Sequence, residues 1–285
     1  MARHRLLSRE RSLQPDKRLG QHFLINAVIP DKIISSAGFR SSDVVLEIGP
    51  GQGALTLPLS RAVSSIVAVE KDIRLTDFLR KRLSASGITN VNLVCQDILR
   101  FDFDAIPLPP SEKIQVIGNL PYNISSPVLK KLIHHRDRLS RAVLMFQREV
   151  AERLTASPCT KNYGAMTLLI RYHARPTRLL EVPRNTFHPV PKVDSMVIEL
   201  DFEQPYPSHG VGEDDFRKTV RWAFAHRRKT LLNSLKGYLP GRDPRVLLKQ
   251  ITGCGIDPAR RAETLTMDEF LRLASILEVD KPETD

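Results

Sequence analysis

Four short apolar runs recur along the first half of the chain, and each gives way to a residue of distinct chemistry. Val44-Val45-Leu46-Glu47-Ile48 runs into Gly49-Pro50-Gly51-Gln52-Gly53. Ser65-Ile66-Val67-Ala68-Val69 ends in Glu70, Val91-Asn92-Leu93-Val94-Cys95 ends near Asp97, and Ile114-Gln115-Val116-Ile117-Gly118 ends in Asn119. Runs of this length, bounded by turn residues, read as buried strands. Alternating strands and helices build an α/β sheet, and open sheets of this kind place their chemistry at the carboxyl ends of the strands. A glycine turn, two carboxylates and an amide are therefore expected at one edge of the sheet.

Later elements extend the pattern. Ala142–Phe146 reads as a fifth strand, 147–154 and the stretch near Tyr163–Tyr172 as helices, and 178–182 and 196–202 as late strands. Beyond residues 205–212, a linker by composition, no strand pattern survives. Residues 216–224, 230–239, 244–251 and 267–277 read as short amphipathic helices, with Thr266 and Glu269 forming a capping box for the last. The expected division is a catalytic domain over 1–204 with an N-terminal arm over 1–24, and a helical domain over 213–285.

The glycines alternate as G-x-G-x-G, which lets a ligand approach the backbone at Gly49 and Gly51. An acidic residue about 20 positions beyond such a loop is placed to hold a ribose hydroxyl pair, and Glu70 stands there. Asp97 is suited to accept from the amino group of an adenine ring. Together they describe a pocket for an adenosine-containing cofactor. The sequence has neither a G-x-x-x-x-G-K-[ST] loop nor a metal-ligand cluster, so nucleoside triphosphate chemistry is not expected. Hydride transfer to a nicotinamide dinucleotide and methyl transfer from S-adenosylmethionine remain.

Asn119-Leu120-Pro121-Tyr122 decides for the second. An Asn side-chain oxygen beside a backbone carbonyl stiffened by proline forms a pair of acceptors, and Tyr122 adds a stacking face. Two acceptors beside a ring suit the exocyclic amino group of a nucleobase. Ser126 and Pro127 are placed to cap and open a following helix.

The formal net charge of +11 points to a polyanionic partner, most economically nucleic acid. Arg217, Lys218, Arg221, Arg227, Arg228, Lys229 and Lys236 fall close together in the helical region, and Arg221, Arg227, Arg228 and Lys229 are the expected RNA contacts. The three cysteines, Cys95, Cys159 and Cys254, are odd in number and widely spaced, which suits a reduced, cytoplasmic protein without zinc or disulfides. Arg3, Arg5, Arg9, Arg11, Lys17 and Arg18 precede no hydrophobic block, so no secretory signal is expected, and Glu10 and Asp16 argue against a transit peptide. No apolar run reaches membrane-spanning length.

Taken together, Gln21-His22-Phe23-Leu24, Glu47 to Gly53, Glu70, Asp97 and Gly118 to Tyr122 resemble the rRNA adenine dimethyltransferase family. The likeness continues through Phe187-His188-Pro189-Val190-Pro191-Lys192-Val193-Asp194-Ser195 and Arg227 to Leu235, so it covers nearly the whole chain. The last two blocks resemble the branch that dimethylates two adjacent adenosines near the 3′ end of small-subunit (16S) rRNA during ribosome biogenesis. The resemblance implies a Rossmann-like, seven-stranded class I methyltransferase sheet followed by a small all-α RNA-docking domain. It also implies S-adenosylmethionine as methyl donor without a metal, held by His22, Leu24, Gly49, Glu70, Asp97 and Asn119. Many members carry Asn where this chain has His22, and both can donate a hydrogen bond.

On the same footing Phe187, in a proline-stiffened loop, is expected to present its ring to the second face of a flipped base, beside catalytic Asn119, Leu120, Pro121 and Tyr122. The expected partner is the small ribosomal subunit, with no membrane, and a monomer. Two alternatives stand beside this reading. One is a large-subunit (23S) rRNA adenine methyltransferase conferring antibiotic resistance, and the other a non-catalytic assembly or transcription factor on the same fold.

Overall fold

The computed structural model describes residues 13–16, 19–109, 112–206, 210–238 and 243–277. Most of the arm over 1–24, including Lys17 and Arg18, lies outside these residues, as do 207–209 of the linker and Leu239. In chain order the elements are β1 (Phe23–Leu24), α1 (Val28–Ala37), β2 (Val44–Ile48), α2 (Thr56–Leu59), β3 (Ser65–Glu70), α3 (Ile73–Ala85), β4 (Val91–Cys95), β5 (Ile114–Asn119), α4 (Ser125–His134), β6 (Leu139–Gln147) and α5 (Arg148–Leu154). Then come α6 (Ala165–His173), β7 (Arg175–Val182), β8 (Phe187–His188), β9 (Ser195–Asp201), α7 (Glu213–Phe224), α8 (Leu231–Lys236), α9 (Pro244–Gly253) and α10 (Met267–Ile276).

Seven strands form one sheet in the order β4-β3-β2-β5-β6-β9-β7. The pairs β4–β3, β3–β2, β2–β5 and β5–β6 are parallel, and β9 runs antiparallel to β6. Strands covered on both faces need no polar side, which is why β2, β3 and β5 read as predominantly apolar runs. Val45, Leu46, Ile66, Ala68, Val116 and Ile117 are all fully buried. The chain steps from β2 outward to β3 and β4, then returns to lay β5 on the other side of β2. Strand order reverses at that point, and the crevice it opens lies beyond the carboxyl ends of β2 and β5. Gly49 and Asn119 are brought side by side by this reversal, 70 residues apart in sequence though they are.

Gly118 makes the approach possible. It is paired in register with Ile48, and a Cβ added to it would stand 2.9 Å from the Ile48 carbonyl oxygen. That is closer than a carbon atom tolerates, so only glycine seats β5 against the end of β2. From Tyr122, the last of the four residues Asn119-Leu120-Pro121-Tyr122, the chain makes one 3-10 turn, Tyr122–Ile124, and enters α4 at Ser125. The helix therefore starts one residue before the expected cap, Ser126, and Pro127 falls at its third position.

The chain divides into two compact units, 1–151 with 177–202, and 152–176 with 203–285. The boundary expected near 204 thus differs from the structural one, because 152–176 groups with the C-terminal helices. The reason is visible in the second unit's own core. Leu168 of α6 is buried in one cluster with Phe216, Val220, Leu231, Leu235, Ile251 and Phe270, and Tyr172 stacks on Phe216 at 4.8 Å. An amphipathic helix settles wherever its apolar face is covered, whatever its place in the chain. The capping box of α10 forms, with Thr266 Oγ1 accepting from the Glu269 N–H and Glu269 Oε2 from the Thr266 N–H.

Replacing Gly118 by Ala is expected to destabilise the protein by about 1–3 kcal/mol, the usual cost of forcing a methyl into a filled site. Urea denaturation of the two proteins checks this, with an unchanged midpoint as the contrary result.

Candidate active site

The turn after β2 needs left-handed backbone. Gly49 and Gly51 have φ of +66° and +58°, where a side chain would be strained. The Gly49 N–H donates to the Val69 carbonyl at 2.9 Å, which pins the turn to the end of β3. A Cβ at Gly51 would touch the Phe23 ring at 3.4 Å, whereas one at Gly49 would point into open space. That space belongs to a cavity of about 490 Å³. Its lining includes His22, Leu24, Gly49, Gly51, Glu70, Asp97, Asn119, Leu120, Pro121 and Tyr122, so these expected site residues come together around one hollow.

Glu70, only 7% exposed, is held by two backbone amides. Its Oε2 accepts from the Gly51 N–H at 3.0 Å and its Oε1 from the Asp72 N–H at 2.9 Å. Burial pushes its pKa above the ordinary carboxylate value, and these amides oppose the shift. Asp97 is held lower than usual, mainly by the Lys71 ammonium at 2.8 Å, and its Oδ1 also accepts from the Leu99 N–H at 3.0 Å. Lys71 is largely exposed, so this pair is solvent-screened and easily exchanged.

At the end of β5, the Asn119 Nδ2 donates to the His22 carbonyl at 3.1 Å. A carbonyl can only accept, so this bond decides which end of the amide is nitrogen. Oδ1 then meets no donor among the described residues and is left for a ligand. The Tyr122 hydroxyl bonds Ser195 Oγ at 3.0 Å, and its ring lies 5.6 Å from that of His22 with 28° between their planes. His22 Nδ1 in turn stands 2.7 Å from the Pro189 carbonyl oxygen. By the same argument Nδ1 carries the hydrogen there. One histidine thus touches the tetrapeptide twice and the proline-rich loop once.

The sequence matches the family described as Ribosomal RNA adenine dimethylase over residues 13–279. The chain belongs to that family. It is 44% identical over 95% of both chains to the Ribosomal RNA small subunit methyltransferase A of Desulforapulum autotrophicum. Among solved structures it is similar to a dimethyladenosine transferase from Plasmodium falciparum, with TM-score 0.75 and 30% identity, covering 88% of this chain and 95% of that one. It is similar also to the 23S rRNA methyltransferase ErmE, with TM-score 0.69 and 26% identity over 90% of this chain and all of the other. The seven-stranded sheet is the class I methyltransferase fold of these dimethylase relatives.

At this cavity one expectation fails. Phe187 does not reach the cavity: it is 1% exposed and packs in the core with Ile29, Val182 and Val197. The cause is strand alternation. β1 and β8 form a two-stranded antiparallel ribbon in which Leu24 faces Phe187 and Phe23 faces His188. Neighbours along a strand point to opposite faces. Phe187 turns into the core cluster with Leu24 packed against it at the cavity's edge, while Phe23 and His188 line the cavity.

Glu47 lines the cavity as well, and its functional weight was missed because it sits inside an apolar strand. It is 1% exposed, and its Oε2 has no hydrogen-bond partner among the described residues. Burial raises its pKa to about 8, the charge of Glu70 adds to this, and the neighbouring Thr56 hydroxyl opposes it without reaching hydrogen-bonding geometry. The available signal was a carboxylate in the middle of a five-residue buried run. Gln21 and Asp72 form a second network, with Gln21 Nε2 donating to Asp72 Oδ2 at 3.3 Å and the Arg74 guanidinium gripping the same carboxylate. This holds the arm over the Glu70 side of the cavity.

The basic residues expected to meet RNA lie in the second unit. Arg221, Arg227, Arg228 and Lys229 are exposed. Arg227 is already engaged, with its guanidinium donating to Glu263 Oε2 at 3.3 Å and to the Lys161 carbonyl. Arg221, Arg228 and Lys229 have no ion-pair partner among the described residues. No group of three or more His, Cys, Asp or Glu able to hold a metal occurs among the described residues, and no described helix is long and apolar enough to cross a membrane.

A buried acid whose folded pKa exceeds its unfolded value of 4.5 keeps its proton in the native state while the unfolded chain loses it. Its stabilising contribution is whole below about pH 4.5 and is lost as pH rises through about 8. Glu47→Gln is therefore expected to match wild type in thermal melts near pH 4.5, to exceed it increasingly as pH rises to about 8, and to keep a constant margin above that. Parallel melting curves at all pH values would contradict the assignment.

Proposed function

We propose that the protein transfers methyl groups from S-adenosylmethionine to the N6 atoms of two adjacent adenosines near the 3′ end of small-subunit rRNA, giving dimethyladenosine at both. The observation that carries the chemistry is the orientation of Asn119, whose amide nitrogen is spent on the His22 carbonyl and whose oxygen meets no donor among the described residues. The similarity to small-subunit methyltransferases over nearly the whole chain supports the choice of substrate.

The residues fit the donor. The glycine turn leaves open space at Gly49, Glu70 offers fixed oxygens for ribose hydroxyls, and Asp97 offers an acceptor for the adenine amino group. Glu47, with its orphaned oxygen, supplies a buried acceptor for the amino group of the methionine moiety. The donor, when bound, supplies an electrophilic methyl group on a sulfonium. No metal is required, and the protein is placed in the cytoplasm with its ribosomal substrate.

An adenine amino group is a poor nucleophile because its lone pair is delocalised into the ring. Asn119 Oδ1 and the Leu120 carbonyl draw its two hydrogens to one side and favour a pyramidal nitrogen, whose lone pair then points at the methyl carbon. Pro121, with φ near −55°, stiffens the chain that carries these acceptors. Tyr122 holds one face of the extruded base, its other face being supported by His22. The methylated nitrogen is strongly acidic and releases its proton to water, so no dedicated base is needed. For the second transfer one acceptor keeps the remaining hydrogen and the other side must admit a methyl.

Phosphate contacts by Arg221, Arg228 and Lys229 give affinity without reading sequence. Arg227 holds its own unit together first.

Labelled methyl transfer to unmodified small subunits, followed by mapping of the modified nucleotides, tests the reading as a whole. Incorporation confined to large subunits would overturn it. Asn119→Ala is expected to abolish transfer while donor binding persists in calorimetry, and equal turnover by mutant and wild type would refute its role. Arg228→Ala with Lys229→Ala is expected to weaken subunit binding and to flatten the log–log salt dependence by about 1.5, at roughly 0.7–0.9 per lost phosphate contact. An unchanged slope would remove these residues from the RNA surface.

A further inference from the structure

We infer that the outward face of the β1–β8 ribbon seats the nucleobase adjoining the target adenine, with the His188 ring as its stacking platform. This rests on the reading above, that an RNA adenine is the methyl acceptor. The ribbon's alternation sends Phe187 into the core, packs the partly buried Leu24 against it, and leaves His188 exposed at the cavity. Ile25, one residue beyond β1 and tied by its N–H to the Thr186 carbonyl at 2.9 Å, also lines the cavity and is 65% exposed. Val190 is 58% exposed and follows Pro189, whose carbonyl takes the His22 ring nitrogen. An imidazole and a bare aliphatic side chain therefore line the same cavity as His22 and Tyr122, with exposed Val190 two residues beyond His188.

Such a group is costly to leave in water without a use. Drawing one base out of an RNA strand strips its neighbour of a stacking partner, and a flat apolar rim replaces that partner. A polypeptide would need hydrogen bonds from the ribbon edges, whereas a base needs only a face, which an aromatic ring and branched aliphatics provide. Exposed Lys192, two residues past Val190, adds a cation for the flanking phosphate. The chain's +11 charge favours the same occupant.

The test uses the full-length enzyme and small subunits reconstituted with a synthetic 3′ rRNA segment. That segment carries either both adenosines or one adenosine beside an abasic nucleotide. Single-turnover methyl transfer to the remaining adenosine is measured, and donor binding is followed separately by calorimetry. Wild type is expected to lose about tenfold in kcat/KM on the abasic substrate, the order of one base–ring stack. His188→Ala is expected to lose about as much on the intact substrate and nothing further on the abasic one, with donor affinity unchanged. His188→Phe, which keeps a ring, restores the rate, and Val190→Ser gives a smaller loss of the same kind.

Loss of a second, equal factor by His188→Ala on the abasic substrate would overturn the inference, as would wild-type rates for that variant on intact subunits. A parallel fall in donor affinity would overturn it too. Failure of the underlying reading is distinguishable, because wild type would then transfer no methyl to intact subunits.

Discussion

The hydrogen bond from the Asn119 amide to the His22 carbonyl is the contact on which the rest of the site depends. An amide can present either of its ends, and nothing else among the described residues chooses between them. With the nitrogen engaged, the oxygen becomes the group offered to a ligand. The arm that supplies the carbonyl is secured elsewhere, by Gln21 on Asp72 and by the His22 ring on Pro189 and Tyr122. The polarity of the Asn119 amide thus comes from a segment distant in sequence, and the fold's task is to bring that segment to the end of β5.

Charge in the crevice is managed in two ways. Glu70 is buried but satisfied by amides, so its oxygens are fixed before a ligand arrives. Such preorganisation removes the need to reorient groups on binding. Glu47, on the adjacent strand, is buried and unsatisfied. It rests in its neutral form, and a cation brought beside it favours the ionised one.

Much of this was legible in the residues because the parallel strands are buried on both faces, and burial writes itself as a predominantly apolar run. The glycine turn, Glu70, Asp97 and Asn119 could be placed because each ends such a run. The ribbon was not legible: two strands of two residues have no periodicity to read. That gap led to the error at Phe187, since which of two neighbours faces a cavity is set by pairing register. Glu47 was hidden for the opposite reason, as a charged residue inside a strand is ordinarily discounted. The grouping of α6 with the C-terminal helices depends on which apolar faces meet, which local sequence does not encode.

The most direct test of the central claim is a structure of the enzyme with a stable donor analogue and an unmodified RNA substrate. The target N6 is expected about 2.9 Å from both Asn119 Oδ1 and the Leu120 carbonyl, the usual span of such a bond, with Nδ2 still on His22. An amino group out of reach of both oxygens, or an Asn119 amide turned to present its nitrogen, would contradict it.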